Sequence, residues 1–90
     1  MKLDVTSITS ENAAHLLEQG AAAIRAGTAT IDLGNVTAVD SAAVALLLAW
    51  QRAAAGQGKR VQFVGVPSGI VGLAGLYGVD TLLGVEPAKA

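Results

Sequence analysis

Between Leu3 and Ile8, apolar residues alternate loosely with Asp4 and Thr6, a pattern that predicts a short, half-exposed edge strand. After Thr9-Ser10 the period lengthens. Ala13, Leu17, Ala21 and Ile24 recur at helical spacing, with Glu11 placed to sit in the first turn, where the helix dipole favours an anion, and Gly27 placed to end the helix. Thr28 to Leu33 is β-rich and bounded by Gly27 and by Gly34-Asn35, so it reads as a buried strand. A loop from Gly34 to Val39 leads into Ser41 to Ala55, an Ala/Leu block too long for a typical strand and closed by Gly56-Gln57-Gly58, which predicts a helix. Arg60 to Val66, "RVQFVGV", reads as a strand from its β-branched and aromatic content. Pro67 then opens a third helix with Ile70, Leu73, Ala74 and Tyr77 on one face and Gly78 as its stop. Glycines at 69, 72, 75 and 78 make this helix intrinsically weak, at up to about 1 kcal/mol per interior glycine. Strands alternating with helices across short connections predict βαβ units: an α/β fold with a parallel or mixed sheet and right-handed crossovers.

The helix from Ser41 is apolar on more than one side. If Val44, Leu47 and Leu48 face the sheet, Leu46 and Trp50 project elsewhere; if Leu46 and Trp50 are buried, Val44 and Leu48 are left over. A helix with spare apolar surface in so small a chain is covered by another element or presents a contact patch. The residues ahead of it, Asp40-Ser41, have the grammar of a helix N-cap, where a side-chain oxygen accepts from a free backbone N–H and stabilises by about 1 kcal/mol. A hydroxyl here is also placed to act at an interface. Phosphorylation would add about −1.5 to −2 charges, favoured by the helix dipole, repelled by Asp40 and costly to desolvate in an apolar contact.

Composition narrows the function. Ninety residues predict one domain, with a core of small aliphatic groups, since 52% of residues are hydrophobic but only 3% aromatic. Six basic and seven acidic residues are scattered along the chain, giving a net charge of −1 and no basic stripe for nucleic acid. The absence of cysteine excludes disulfides, thiolate metal sites and a cysteine nucleophile, and fits a reducing compartment. The N-terminus lacks the pattern of a secretory signal, and the apolar block Ala42 to Trp50 is far short of the roughly 20 residues of a membrane span. A cytoplasmic protein is expected.

Catalytic chemistry finds little support. "GQGKR", Gly56 to Arg60, leaves a helix and enters a strand, the reverse of a phosphate-binding loop. His15 has no second His or Cys at ligand spacing and reads as a solvated surface residue, so neither metal nor cofactor is expected. Ser41, His15 and Asp40 do not make a triad, because the Gly-x-Ser-x-Gly turn is missing and Asp40 adjoins the nucleophile instead of orienting the base.

"IDLGNVTAVDSAAVALLLAW", Ile31 to Trp50, resembles the signature of STAS domains, the fold of anti-sigma factor antagonists, of sulfate-transporter C-terminal domains and of a small subunit of bacterial lipid transporters. The correspondence runs through Ile31-Asp32-Leu33, Val36-Thr37 and Val39-Asp40-Ser41, and Ser41 matches the family's phosphorylatable or otherwise required hydroxyl. Antagonists usually continue with Ser or Gly, then Gly and Leu, where this chain has Ala42-Ala43-Val44. "LAGLYGVDTLL", Leu73 to Leu83, is similar instead to the tail of the MlaB-like, toluene-tolerance STAS subunits of ABC transporters that move phospholipids to maintain outer-membrane asymmetry. The resemblance implies a STAS fold with a mostly parallel sheet, shortened at both ends, with room for one strand before the first helix where STAS domains generally have two. It implies a non-enzymatic subunit at the inner membrane's cytoplasmic side, bound to the transporter's ATPase within a complex that includes the permease. Its contact surface would be Asp40, Ser41, Ala42, Val44, Ala45, Leu46, Ala49 and Trp50, supported by the loop residues Asp32, Asn35 and Thr37. The alternative is an antagonist phosphorylated at Ser41 by an anti-sigma factor kinase. An unpaired N-terminal edge would also offer a homodimer by strand addition.

Overall fold

The structure is a computed structural model that describes residues 1–85. Its elements follow the order β1 (Ser7–Ile8), α1 (Ala13–Arg25), β2 (Thr30–Asp32), β3 (Ala38–Val39), α2 (Ser41–Ala55), β4 (Gln62–Val64), α3 (Ser68–Leu76) and α4 (Asp80–Leu83). All strand pairs among the described residues are parallel: Ser7 and Ile8 register with Ala38 and Val39, and Thr30 to Asp32 with Gln62 to Val64.

The segment from Met1 to Ile8 joins these two ladders. At its start Leu3 N donates to Asp32 O (3.0 Å) and Asp32 N to Met1 O (2.8 Å); at its end Thr37 N donates to Thr6 O (2.8 Å) and Asp40 N to Ile8 O (3.2 Å). The segment is half-exposed as expected, with Lys2, Asp4 and Thr6 outward, but its expected edge position is corrected. Leu3 and Ile8 are both in the core, and the segment engages two neighbours in turn. Strict alternation from Leu3 would turn Ser7 inward; Ile8 is inward instead, so the chain changes parity after Val5 and regular pairing shrinks to two residues.

Helix α1 starts at Ala13, later than the capping pattern suggested. Thr9 N donates to Asn12 Oδ1 (3.0 Å) and Asn12 Nδ2 to Ser7 O (2.9 Å), a local turn that leaves Glu11 outside the first helical turn. Its inward residues are Leu16, Gly20 and Ile24, with Leu17 half-buried, so the face is rotated from the Ala13/Leu17/Ala21 stripe. Gly20 decides that rotation. Trp50 of α2 lies against its bare Cα, and a Cβ there would overlap the indole Nε1 and Cε2. The indole N–H donates to Leu17 O (3.2 Å), and the ring sits 6.4 Å from Phe63, centroid to centroid.

The remaining helices close the other side of α2. In α3 Ile70 and Ala74 are buried and Leu73 half-buried, whereas Tyr77, expected on the same face, is 52% exposed at the C-cap. Gly78, at φ 72°, ends the helix as its type predicted. The short α4 and the two-residue β3, inside the expected loop Gly34 to Val39, had no periodic signal of their own. Gln51 holds the start of β4: its Nε2 donates to Val61 O (2.6 Å) and its Oε1 accepts from Val61 N (3.1 Å).

Candidate functional site: the β3–α2 junction

β3 delivers the chain to α2 in extended conformation, with Asp40 as N-cap at φ −122°, ψ −173°. The carboxylate does two things. Oδ1 accepts from Ala42 N (2.8 Å), satisfying a free helical amide, and Oδ2 accepts from Ser10 N (3.2 Å), tying the turn before α1 to the start of α2. Capping falls to Asp40, so Ser41 occupies the first helical position with its side chain exposed.

The loop residues play structural parts. Asp32 Oδ1 accepts from Gly34 N (2.8 Å), closing a turn that Gly65 approaches from β4 with φ 62°. A Cβ on Gly65 would lie 2.9 Å from that carboxylate oxygen and 3.0 Å from the Gly34 backbone, so only glycine fits. Thr37 Oγ1 donates to Thr6 O (3.2 Å), and Asn35 is exposed at the tip.

The proposed contact residues of α2 divide. Val44 and Leu46 are each 3% exposed and Trp50 is fully buried, which corrects their placement on a contact surface. The apolar side that the sequence left uncovered is covered by α1, because Gly20 lets Trp50 beneath it. Ala45 is exposed and Ala42 and Ala49 are half-buried. With Ala13, Ala14 and Leu17 of α1 they line a shallow apolar groove of about 190 Å³, floored by Leu46. The α1 residues of this groove were missed, although adjacent alanines at Ala13-Ala14, on a helix already predicted, were the available signal.

No group of His, Cys, Asp and Glu able to hold a metal ion occurs among the described residues, and His15 is exposed. No helix of the described residues is long and apolar enough to cross a membrane. The site is a ridge bearing one hydroxyl, flanked by alanines. The profile of the family described as Mlab, STAS domain matches residues 3–84. This chain is a STAS domain of the MlaB type. No curated protein gives a match to it. The parallel strands, the helices packed on them and the strand-to-helix junction at Asp40-Ser41 are thus the STAS fold, whose members generally serve as non-enzymatic accessory or regulatory proteins.

Proposed function

We propose that this STAS domain is an assembly or regulatory subunit that binds the ATPase of a phospholipid-transporting ABC complex, at the cytoplasmic side of the membrane, through Ser41 and the alanine groove beside it. The observation that carries the reading is the division of labour at the junction. Asp40 takes both backbone bonds, which leaves Ser41 exposed on a rigid helix start, next to an apolar groove shaped for a partner's side chain. Small groups on the ridge let a partner approach the α2 backbone closely, so the hydroxyl would sit within the contact and not at its rim.

The test is reconstitution with the ATPase subunit of a phospholipid-transporting ABC complex from the same organism, comparing wild type with Ser41→Ala and Ala45→Glu. Both positions are exposed, so both variants should fold, as far-UV circular dichroism would report. Ala45→Glu should weaken binding at least about tenfold, because it sets an unpaired charge in an apolar contact. Undiminished binding by both refutes the assignment. An acidic substitution at Leu46 is unsuitable, because it would bury a charge in the core.

The exposure of Ser41 also favours one second reading, phosphate acceptance from an anti-sigma factor kinase. Asp40 weighs against it, since its fixed carboxylate would face a phosphoserine dianion. Incubation with the candidate kinase and ATP, followed by intact-mass measurement, separates the two readings: one added phosphate, abolished by Ser41→Ala, selects the kinase.

A further inference from the structure

We propose that the end of the domain opposite Ser41 docks on an anionic phospholipid surface, with Leu76, Tyr77 and Leu82 entering the headgroup layer and Arg25, Arg52, Lys59 and Arg60 meeting the lipid charges. The chain is polarised along its helices. Helices α1 and α2 run side by side in the same direction, as the Ser10–Asp40 bond and the Gly20–Trp50 contact show. Arg25 and Arg52 therefore sit in last turns at one end, about 18 Å along α2 from Asp40 at 1.5 Å per residue. Lys59 and Arg60 follow α2 into β4 at that end, and all four bases are exposed. Glu11, Asp32 and Asp40 lie toward the other end; among the described residues, Asp80 is the acid that shares the end of the four bases. Arg25 and Arg52 also complement the negative ends of their own helix dipoles. That need accounts for neither Lys59 nor Arg60, nor for the apolar groups beside them.

Those apolar groups are the second observation. Apart from Met1, the large apolar side chains exposed among the described residues are Leu76, Tyr77 and Leu82, at 77%, 52% and 59%. All three are at the basic end. Helix α3 starts against β3, where a Cβ on Gly69 would touch the Val39 side chain, and so ends away from the junction with Leu76 and Tyr77. Leu82 of α4 shares an apolar hollow of about 230 Å³ with Leu48, Arg52 and Ala55 of α2, and Arg60 Nη2 donates to the Leu82 carbonyl (3.1 Å). That bond goes to a neutral oxygen, so the guanidinium keeps its charge.

Charge and shape together choose the occupant. Basic groups set around exposed leucines and a tyrosine fit a surface that is negative outside and apolar within, which is an anionic bilayer. Side chains that stand out separately from α3 and α4 need no matched pockets in a fluid layer, whereas a folded partner would have to supply one for each. Nucleic acid would meet the bases and leave the leucines unused. In this orientation the acidic Ser41 end points away from the lipid, so the ATPase-binding face stays open. The inference rests on the basic end alone and not on the ATPase. A homodimer by strand addition has no comparable support, because Met1 to Ile8 already bonds to β2 and β3.

Co-sedimentation of the purified chain with vesicles tests the proposal, using equimolar phosphatidylglycerol and phosphatidylcholine against phosphatidylcholine alone. Binding to the anionic vesicles should be at least about tenfold stronger and should fade as salt rises. Arg52→Glu with Lys59→Glu should lower it at least about tenfold, and Leu76→Ser with Leu82→Ser at least about fivefold. All four positions are exposed, and circular dichroism confirms that both variants are folded; Arg60 is kept because it holds α4. A wild-type chain that ignores anionic vesicles, equal binding to neutral ones, or a charge-reversed variant that binds like wild type overturns the inference. Charge reversal that acts while the leucine variant binds like wild type marks a site for a soluble acidic partner and overturns it as well. A chain that leaves vesicles unbound but still binds the ATPase in an Ala45-dependent way overturns this inference alone and leaves the proposed function standing.

Discussion

Replacing a mid-helix glycine by alanine ordinarily stabilises a helix by about 1 kcal/mol, through lower backbone entropy in the unfolded chain. At Gly20 the sign should reverse. The added Cβ would overlap Trp50 Nε1 and Cε2 and lie 2.7 Å from Cζ2, and the indole has nowhere to go. Trp50 is fully buried, its N–H is held by Leu17 O at 3.2 Å, and the Phe63 ring lies 6.4 Å away, centroid to centroid. Relief requires that α1 lift from α2 or that the ring rotate and release its bond. Overpacking of this kind costs about 1–3 kcal/mol, and a lost buried hydrogen bond adds about 0.5–1.5 kcal/mol. After the propensity gain, Gly20→Ala should destabilise by about 1–3 kcal/mol net. For a chain of this size each kcal/mol lowers the melting temperature by about 4–8 °C. Gly72→Ala in α3 is the internal control: its Cβ would meet open space, so it should gain about 0.5–1 kcal/mol. Urea unfolding followed by tryptophan emission reads both, since Trp50 is the one tryptophan and moves from core to water. If Gly20→Ala is as stable as wild type or gains like Gly72→Ala, the α1–α2 contact described here is wrong, and with it the groove that the contact creates.

The junction and the β4 start yield further tests by the same denaturation assay. Asp40→Ala removes the acceptor for Ala42 N and for Ser10 N and should cost about 1–2 kcal/mol; Asp40→Asn, which keeps an oxygen for one amide, should cost less than half of that. Gln51→Ala strands the N–H and C=O of Val61, a residue 1% exposed, and should cost about 2–3 kcal/mol. A Gln51→Ala variant within about 0.5 kcal/mol of wild type would show that water reaches those groups.

The extent of α2 was legible because both of its ends carry chemistry that acts locally. Asp40 caps one end, Gly56 follows the other, and the Ala/Leu block between them admits no other element. The family was legible for the same reason: its signature is a junction, and junction residues are chosen by backbone geometry. What α2 faces was not legible. The sequence offered two assignments for its apolar sides and no means of choosing, since the choice depends on a residue in another helix that carries no hydrophobic signal. Gly20 reads as a weak point in α1, yet its missing side chain is the space Trp50 occupies. The interior position of the Leu3 to Ile8 segment was not legible on the same ground, because its partners lie some thirty residues away along the chain and its short ladders have no period to detect.

That failure relocates the function instead of removing it. A chain with so few large side chains spends them on the core: Trp50, Leu46, Leu47 and Val44 go inward, and α2 meets solvent with Ser41, Ala42, Ala45 and Ala49. A surface made of small groups offers little apolar area of its own, so binding there must draw on close approach and on what the partner inserts into the groove. It follows that enlarging an exposed alanine of α2 should damage binding more than trimming a leucine beneath it, while trimming the leucine should damage stability more. Ala45→Leu and Leu47→Ala separate the two. The first should keep its unfolding midpoint and lose the partner; the second should lose about 2–5 kcal/mol of stability yet bind with wild-type affinity wherever it is still folded. Only an interface built on the alanine ridge gives both results together.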